Sequence, residues 1–315
     1  MSHDAPYAAL SPDVVLQAVE ATGLWTDGRL LTLNSYENRV FQVGLEDGGF
    51  LVGKFYRPGR WSDAAIAEEH RFAGELADAE IPMVAPLRFG HDTLLHHNGF
   101  RYALYPRRGG RAPSLESADQ LEWLGRLIAR IHLVGAKEPF QARGRLDRRT
   151  MVSEPCNAVL ASPLIPASVR DSYRYAAARV GEAIDDRLDA YGPWHALRLH
   201  GDCHPGNVLW TDDGPHFVDL DDARMGPAVQ DLWMLAGDDA SMRALLEGYT
   251  QFREFDESEL ALVPVLRAMR QVHYAGWIAQ RWGDPAFPAA FPFAAEPRWW
   301  EQHIADLGEI ADDLS

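Results

Sequence analysis

The apolar residues of this chain change their period once, and that change limits the folds open to it. Before Tyr105 they form short runs, LLTL at 30–33, VFQVGL at 40–45 and FLVGKFY at 50–56, with Asp47-Gly48-Gly49 as a hairpin turn between the last two. Two further strands are expected near Val84 and at 100–104. One helix is capped by Ser11-Pro12 and ends near Gly23; another runs from Asp63 to about Leu76, with Ile66, Phe72 and Leu76 on its apolar stripe. After YPRRGG at 105–110 the helical period takes over, at 118–133, at about 168–188, and from about Pro227 onward. Strands first and helices later predict an α+β fold. The boundary falls between 1–106 and 107–315.

Composition narrows the function. Against 46 acidic residues stand 30 Lys and Arg, a net charge of −16, so the chain has no basic footprint for nucleic acid. Two cysteines, Cys156 and Cys203, are too few for a disulfide framework, and no long apolar span, signal or lipidation motif is present. The expectation is a cytoplasmic protein with no membrane partner; a monomer is one option, and the sequence leaves the oligomeric state open.

One loop interrupts the helical part. HGDCHPGN, residues 200–207, leads into the strand VLW, a turn at 212–214, and HFVDL at 216–220. His200, Cys203 and His204 are all zinc-type ligands, but they lack a fourth spaced ligand, and adjacent Cys203 and His204 would need a sharp turn to reach one ion. Read as H-x-D-x-x-x-x-N, the same stretch has the spacing of a kinase catalytic loop, where Asp orients an acceptor hydroxyl and Asn binds a metal ion. Asp219 ends the next strand, and Lys54 stands alone on an N-terminal strand ahead of Glu68 and Glu69. Phosphoryl transfer passes through a highly charged transition state, so it needs such groups: a lysine for phosphate oxygens, oxygen ligands for magnesium, and a carboxylate base.

With NSYENRV, KFYRPGRW, HGDCHPGNVLW and FVDLDDARMGPAVQDLWML, the chain resembles the aminoglycoside phosphotransferases and choline kinases, and within that family the bacterial stress-response serine/threonine protein kinases. The resemblance implies a bilobal protein-kinase-like fold, with an N-terminal nucleotide-binding lobe of antiparallel sheet and one helix, and a larger, mainly helical catalytic and substrate lobe. It implies ATP and Mg as cofactors, and protein Ser/Thr hydroxyls, the chain's own included, as acceptors. Position by position it makes Asp202 the base, Asn207 and Asp219 the magnesium ligands, Asp219 also a catalytic residue, and Lys54 the phosphate-binding lysine. Ser35 matches a phosphate-loop serine, Glu69, with Glu68 as alternative, the partner of Lys54, and Asp231 a buried support for the loop. The chain has no glycine-rich GxGxxG loop, carries DLD in place of DFG and has no APE segment, departures it shares with small-molecule kinases.

The remaining residues have plainer expectations. Asn34 and Asn38 are expected to stabilise unusual turn dihedrals in place of glycine. Asp221 and Asp222 are expected to be solvated, Cys203 to pack, and the aromatic cluster of Trp277, Trp282, Phe287, Phe291, Phe293, Trp299 and Trp300 to serve core or lobe packing. Phosphorylation of a small hydroxylated molecule is the alternative function, and a nucleotide-binding scaffold without activity the third; retention of Lys54, Asp202, Asn207 and Asp219 together opposes the last.

Overall fold

A computed structural model describes residues 6–315. The chain packs as two compact units: one holds the chain up to Gly144 together with Ala196–Phe255, the other Arg145–His195 together with Asp256–Ser315.

The first unit begins with α1 (Pro12–Glu20), whose Ser11 cap accepts a hydrogen bond from the Val14 N–H at 3.3 Å. Its buried face, Val15, Ala18 and Val19, packs with Phe55, Tyr102 and Leu104 of a five-stranded antiparallel sheet ordered β1-β2-β3-β5-β4. The strands are β1 (Thr26–Leu33), β2 (Arg39–Leu45), β3 (Phe50–Phe55), β4 (Leu95–His97) and β5 (Phe100–Pro106). Lys54 lies on the central strand β3, opposite Val40 of β2 and Ala103 of β5. Helix α2 (Asp63–Asp78) starts at the Ser62 cap and buries Ile66, Phe72 and Leu76 as the stripe predicted, along with Glu68, Glu69 and His70.

Two departures from the sequence reading have local causes. Strand β1 begins at Thr26, ahead of the apolar run at 30–33, and an irregularity between Thr26 and Leu30 breaks the alternation that would have marked this earlier part as strand. The strand expected near Val84 is a single parallel bridge, Met83 to Phe217; Pro82 and Pro86, which cannot donate to a ladder, confine it.

The rest of the unit holds the candidate loop. Helix α3 (Ala118–Gly135) packs on α6 (Asp239–Tyr249), while β6 (Leu197–Leu199) pairs with β9 (Arg224–Gly226) and β7 (Val208–Thr211) with β8 (Gly214–Phe217). The second unit contains α4 (Glu154–Ala161), α5 (Arg170–Tyr191), α7 (Val263–Arg281), α8 (Ala286–Ala290) and α9 (Pro297–Leu314). There Phe287, Phe291 and Trp300 are buried, with the Trp277 and Phe287 ring centroids 4.8 Å apart, the core packing expected of the cluster, whereas Phe293 departs from it, 37% exposed and packed on Trp299.

Close approach of α3 and α6 depends on two glycines facing each other's backbones. A Cβ at Gly125 would lie 2.0 Å from the Leu245 carbonyl oxygen, and one at Gly248 would lie 2.0 Å from that of Glu122. Alanine is the better helix former by about 1 kcal/mol, but overpacking a rigid contact costs about 1–3 kcal/mol and here meets backbone. Gly125→Ala is therefore expected to lower the midpoint of chemical denaturation. An unchanged or higher midpoint would mean the helices do not meet there.

Candidate functional site

At the centre of the first unit a buried ammonium faces three carboxylates. Lys54 Nζ lies 2.8 Å from Asp219 Oδ1, 3.4 Å from Asp221 Oδ1 and 3.8 Å from Glu69 Oε1. Burial by itself disfavours its charge, yet Asp219, Asp221 and Glu69 outweigh that and hold its pKa well above the ordinary lysine value. Asp219 sits in the left-handed region, φ 63° and ψ 72°, a strained setting for a residue with a side chain and one that occurs at functional sites. Its carboxylate is half-exposed, whereas those of Glu69 and Asp221 are buried. The three acids thus differ: one is open to a ligand, two belong to the interior.

Of the adjacent glutamates, only Glu69 turns to Lys54. Glu68 accepts instead from the backbone N–H groups of Gln141 and Ala142 at 2.8 Å each and Arg143 at 2.9 Å. These three bonds offset the burial that would raise it, and hold its carboxyl below the usual range.

Asp221 and Asp222 are not the solvated pair expected. Asp221 is 4% exposed and bonded to Arg60, which also reaches Asp222 at 2.9 Å. Burial opposes its charge, but Arg60 and Lys54 prevail and keep its pKa below the ordinary value. Asn38 also departs from expectation. Neither it nor Asn34 is among the described residues with a positive φ, and its amide serves as a brace: Oδ1 accepts from the Arg57 N–H at 3.0 Å and Nδ2 donates to Asp221 at 3.2 Å. The far end of the NSYENR loop is thereby tied to the turn after Asp219. Ser35 lies half-buried in that loop.

The HGDCHPGN loop is held from beneath. Asp231, 1% exposed, accepts from the backbone N–H groups of His200 and Gly201 at 2.8 Å each, and meets His132 Nε2 at 3.1 Å. His132 in turn meets the Tyr249 hydroxyl at 2.9 Å, which accepts from Arg253. Gly201 has φ +84°, and a Cβ there would lie 2.1 Å from the Asp222 carbonyl oxygen, so only glycine fits. His200 Nε2 donates to the Val218 carbonyl at 3.0 Å, joining this loop to the residue before Asp219.

Successive side chains then part. Cys203 is fully buried in the apolar core, where burial, then Asp231 and Asp202, push its thiol well above the ordinary value. Asp202 is 24% exposed, with His204 Nε2 3.5 Å away. With Cys203 turned inward and His200 engaged to Val218, the zinc-type residues do not converge, and no group of three or more His, Cys, Asp or Glu placed to hold a metal occurs among the described residues. Asn207 Nδ2 donates to the Asp202 carbonyl at 2.9 Å, which leaves Oδ1 as the acceptor of that amide. An amide oxygen and the half-exposed Asp219 carboxylate are hard donors of the kind magnesium takes, so Asn207 and Asp219 would be the residues to hold that ion.

The sequence reading missed three side chains at this site: Arg60, Arg143 and His132. Arg60 lies inside the KFYRPGRW motif and His132 is the one polar residue of a buried helical stripe, so both had a signal. Arg143 had none.

Comparison with known proteins identifies the family and the fold. The profile of the phosphotransferase enzyme family matches residues 30–263. A protein of Salmonella typhimurium named serine/threonine protein kinase RdoA is 44% identical over 310 residues, covering 96% of this chain and 93% of the relative. Stress response kinase A of Escherichia coli K12 is 43% identical over 318 residues, covering 98% and 94%. Among solved structures, an amicoumacin kinase in complex with AMP-PNP, Ca2+ and its ligand superposes with a TM-score of 0.74 at 18% identity, covering 96% of this chain and 93% of that one. The α+β fold is the one these kinases share.

His70, beside Glu69, provides a test of the site's electrostatics. Its ring is buried between the Tyr56 hydroxyl at 2.7 Å and Thr93 Oγ1 at 2.8 Å, and burial, reinforced by Lys54 and Arg143, lowers its pKa from 6.5 to about 3. As pH falls through 6.5, the unfolded chain takes up a proton that the folded one refuses, so stability is lost at about 1.4 kcal/mol per pH unit until the folded value is reached. In denaturant titrations, His70→Gln should show a shallower loss between pH 6.5 and 4.5. An identical slope would mean that His70 titrates normally.

Proposed function

The chain belongs to the phosphotransferase enzyme family, and on that premise we propose that it is an ATP-dependent kinase that phosphorylates serine or threonine hydroxyls of proteins, its own chain included. The observation that carries the reading is the meeting of Lys54 with Asp219, joined through Val218 and His200 to the loop that presents Asp202 and Asn207. Lys54 binds phosphate oxygens of the nucleotide, exchanging its contact with Asp219 for them, while Glu69 and Asp221 keep its charge in place. The NSYENR loop, braced by Asn38 instead of glycines, would offer Ser35 and its backbone amides to the phosphates. Magnesium, held by the Asn207 amide oxygen and the Asp219 carboxylate, supplies positive charge against the phosphate oxygens when bound. Asp202, partly exposed on a loop fixed by Asp231, accepts the proton of the attacking hydroxyl.

The protein acceptor rests on kinship. Relatives named as serine/threonine protein kinase and stress response kinase are 43–44% identical over nearly the whole chain, whereas the amicoumacin kinase is 18% identical. A part in a bacterial stress response rests on the name of the Escherichia coli relative. No helix among the described residues is long and apolar enough to cross a membrane.

Incubation with γ-labelled ATP and magnesium, followed by phosphosite mapping and by assay against myelin basic protein and a panel of aminoglycosides, tests the reading. Label on Ser or Thr of protein is expected; label in aminoglycosides alone would overturn the acceptor class. Asp202→Ala should cut transfer by about a hundredfold or more while ATP affinity stays within about twofold, because the base acts on the acceptor. Asn207→Ala should cripple transfer, and Cys203→Ser should keep most of it; the opposite ranking would remove the catalytic-loop assignment.

A further inference from the structure

Arg143 lies on the loop after α3, is 3% exposed, and spends its whole guanidinium inside the protein. Nε donates to the Ala223 carbonyl at 2.6 Å, Nη2 to the Asp221 carbonyl, and Nη1 to the Ala65 carbonyl at 3.1 Å and the Glu69 carboxylate at 3.3 Å. The Trp61 indole lies against it, with Cζ 4.2 Å from the ring centroid. In return, α2 holds the Arg143 backbone through Glu68. Both buried carboxylates that face Lys54 therefore stand on segments this one side chain touches: Glu69 on α2, and Asp221 in the turn after Asp219.

We propose that Arg143 is a positioning residue, fixing α2 to the turn at 220–223 so that Glu69 and Asp221 stay set around Lys54; the proposal rests on the kinase reading above. Two rigid segments from distant parts of the chain meet here, and only a planar fork with several donors reaches three carbonyls and a carboxylate at once. A lysine of equal charge has one point of attachment and leaves buried carbonyls without donors. Loss of the fork loosens the lysine's setting and hence its grip on nucleotide, while the acceptor site on Asp202 is untouched.

Arg143→Lys and Arg143→Met are compared with wild type after thermal melts have shown which are folded at the assay temperature. Arg143→Lys, which keeps stem and charge, decides if Arg143→Met does not fold. The KM for ATP is expected to rise about tenfold and that for myelin basic protein to stay within about twofold, with faster amide hydrogen exchange at 65–69 and 219–223. A folded Arg143→Lys enzyme that loses only melting temperature, with ATP KM and exchange as in wild type, would overturn the proposal. If wild type transfers phosphate to no acceptor, the kinase reading fails separately, and exchange still decides: faster exchange confined to the two segments supports the tether, and unchanged exchange refutes it.

Discussion

A buried lysine charge is tolerated only where opposite charges meet it, and the architecture of the first unit follows from that constraint at Lys54. Moving an ammonium out of water costs several kcal/mol, recovered only with close, well-placed partners. Those partners come from two other segments, Glu69 from α2 and Asp219 and Asp221 from the turn after β8. Their excess negative charge is met by Arg60 and Arg143. Sheet, helix and turn thus depend on one another, since displacing any of them leaves charge buried and unpaired. Of the three acids, only Asp219 keeps an exposed face, so the one contact a ligand can replace is also the shortest.

The HGDCHPGN loop follows the same logic with neutral donors. Asp231 converts the backbone of His200 and Gly201 into a fixed surface, and the line through His132, Tyr249 and Arg253 extends that support into α6 and beyond. Because the loop is held by its backbone, its side chains are free to divide: Cys203 inward to the core, Asp202 outward. A loop rich in potential metal ligands is in this way committed to presenting a carboxylate and an amide.

What was legible in the sequence was what is local. Lys54 in a short strand, Asp202 and Asn207 at fixed spacing, and Asp219 at the end of an apolar run are patterns complete within a few residues. The choice between Glu68 and Glu69 was open because neighbours on a helix point about 100° apart, and only the packed register says which faces the lysine. Arg143 was invisible for a different reason: its side-chain partners lie 74 to 80 positions away, and a loop arginine with no periodicity reads as surface. The hairpin of β4 and β5 was half missed although Asn98-Gly99, both with positive φ, is the two-residue turn such hairpins favour. Strands β6 and β9, three residues each, are too short to show alternation at all.

A crystal structure with a non-hydrolysable ATP analogue and magnesium tests the central claim most directly. The account predicts a metal ion between the Asn207 amide oxygen and the Asp219 carboxylate, Lys54 Nζ moved from Asp219 onto phosphate oxygens, and α2 unmoved with Glu69 still bound to Arg143. Nucleotide bound away from Lys54, a metal that avoids Asp219, or α2 withdrawn so that Glu69 no longer faces the lysine would contradict it.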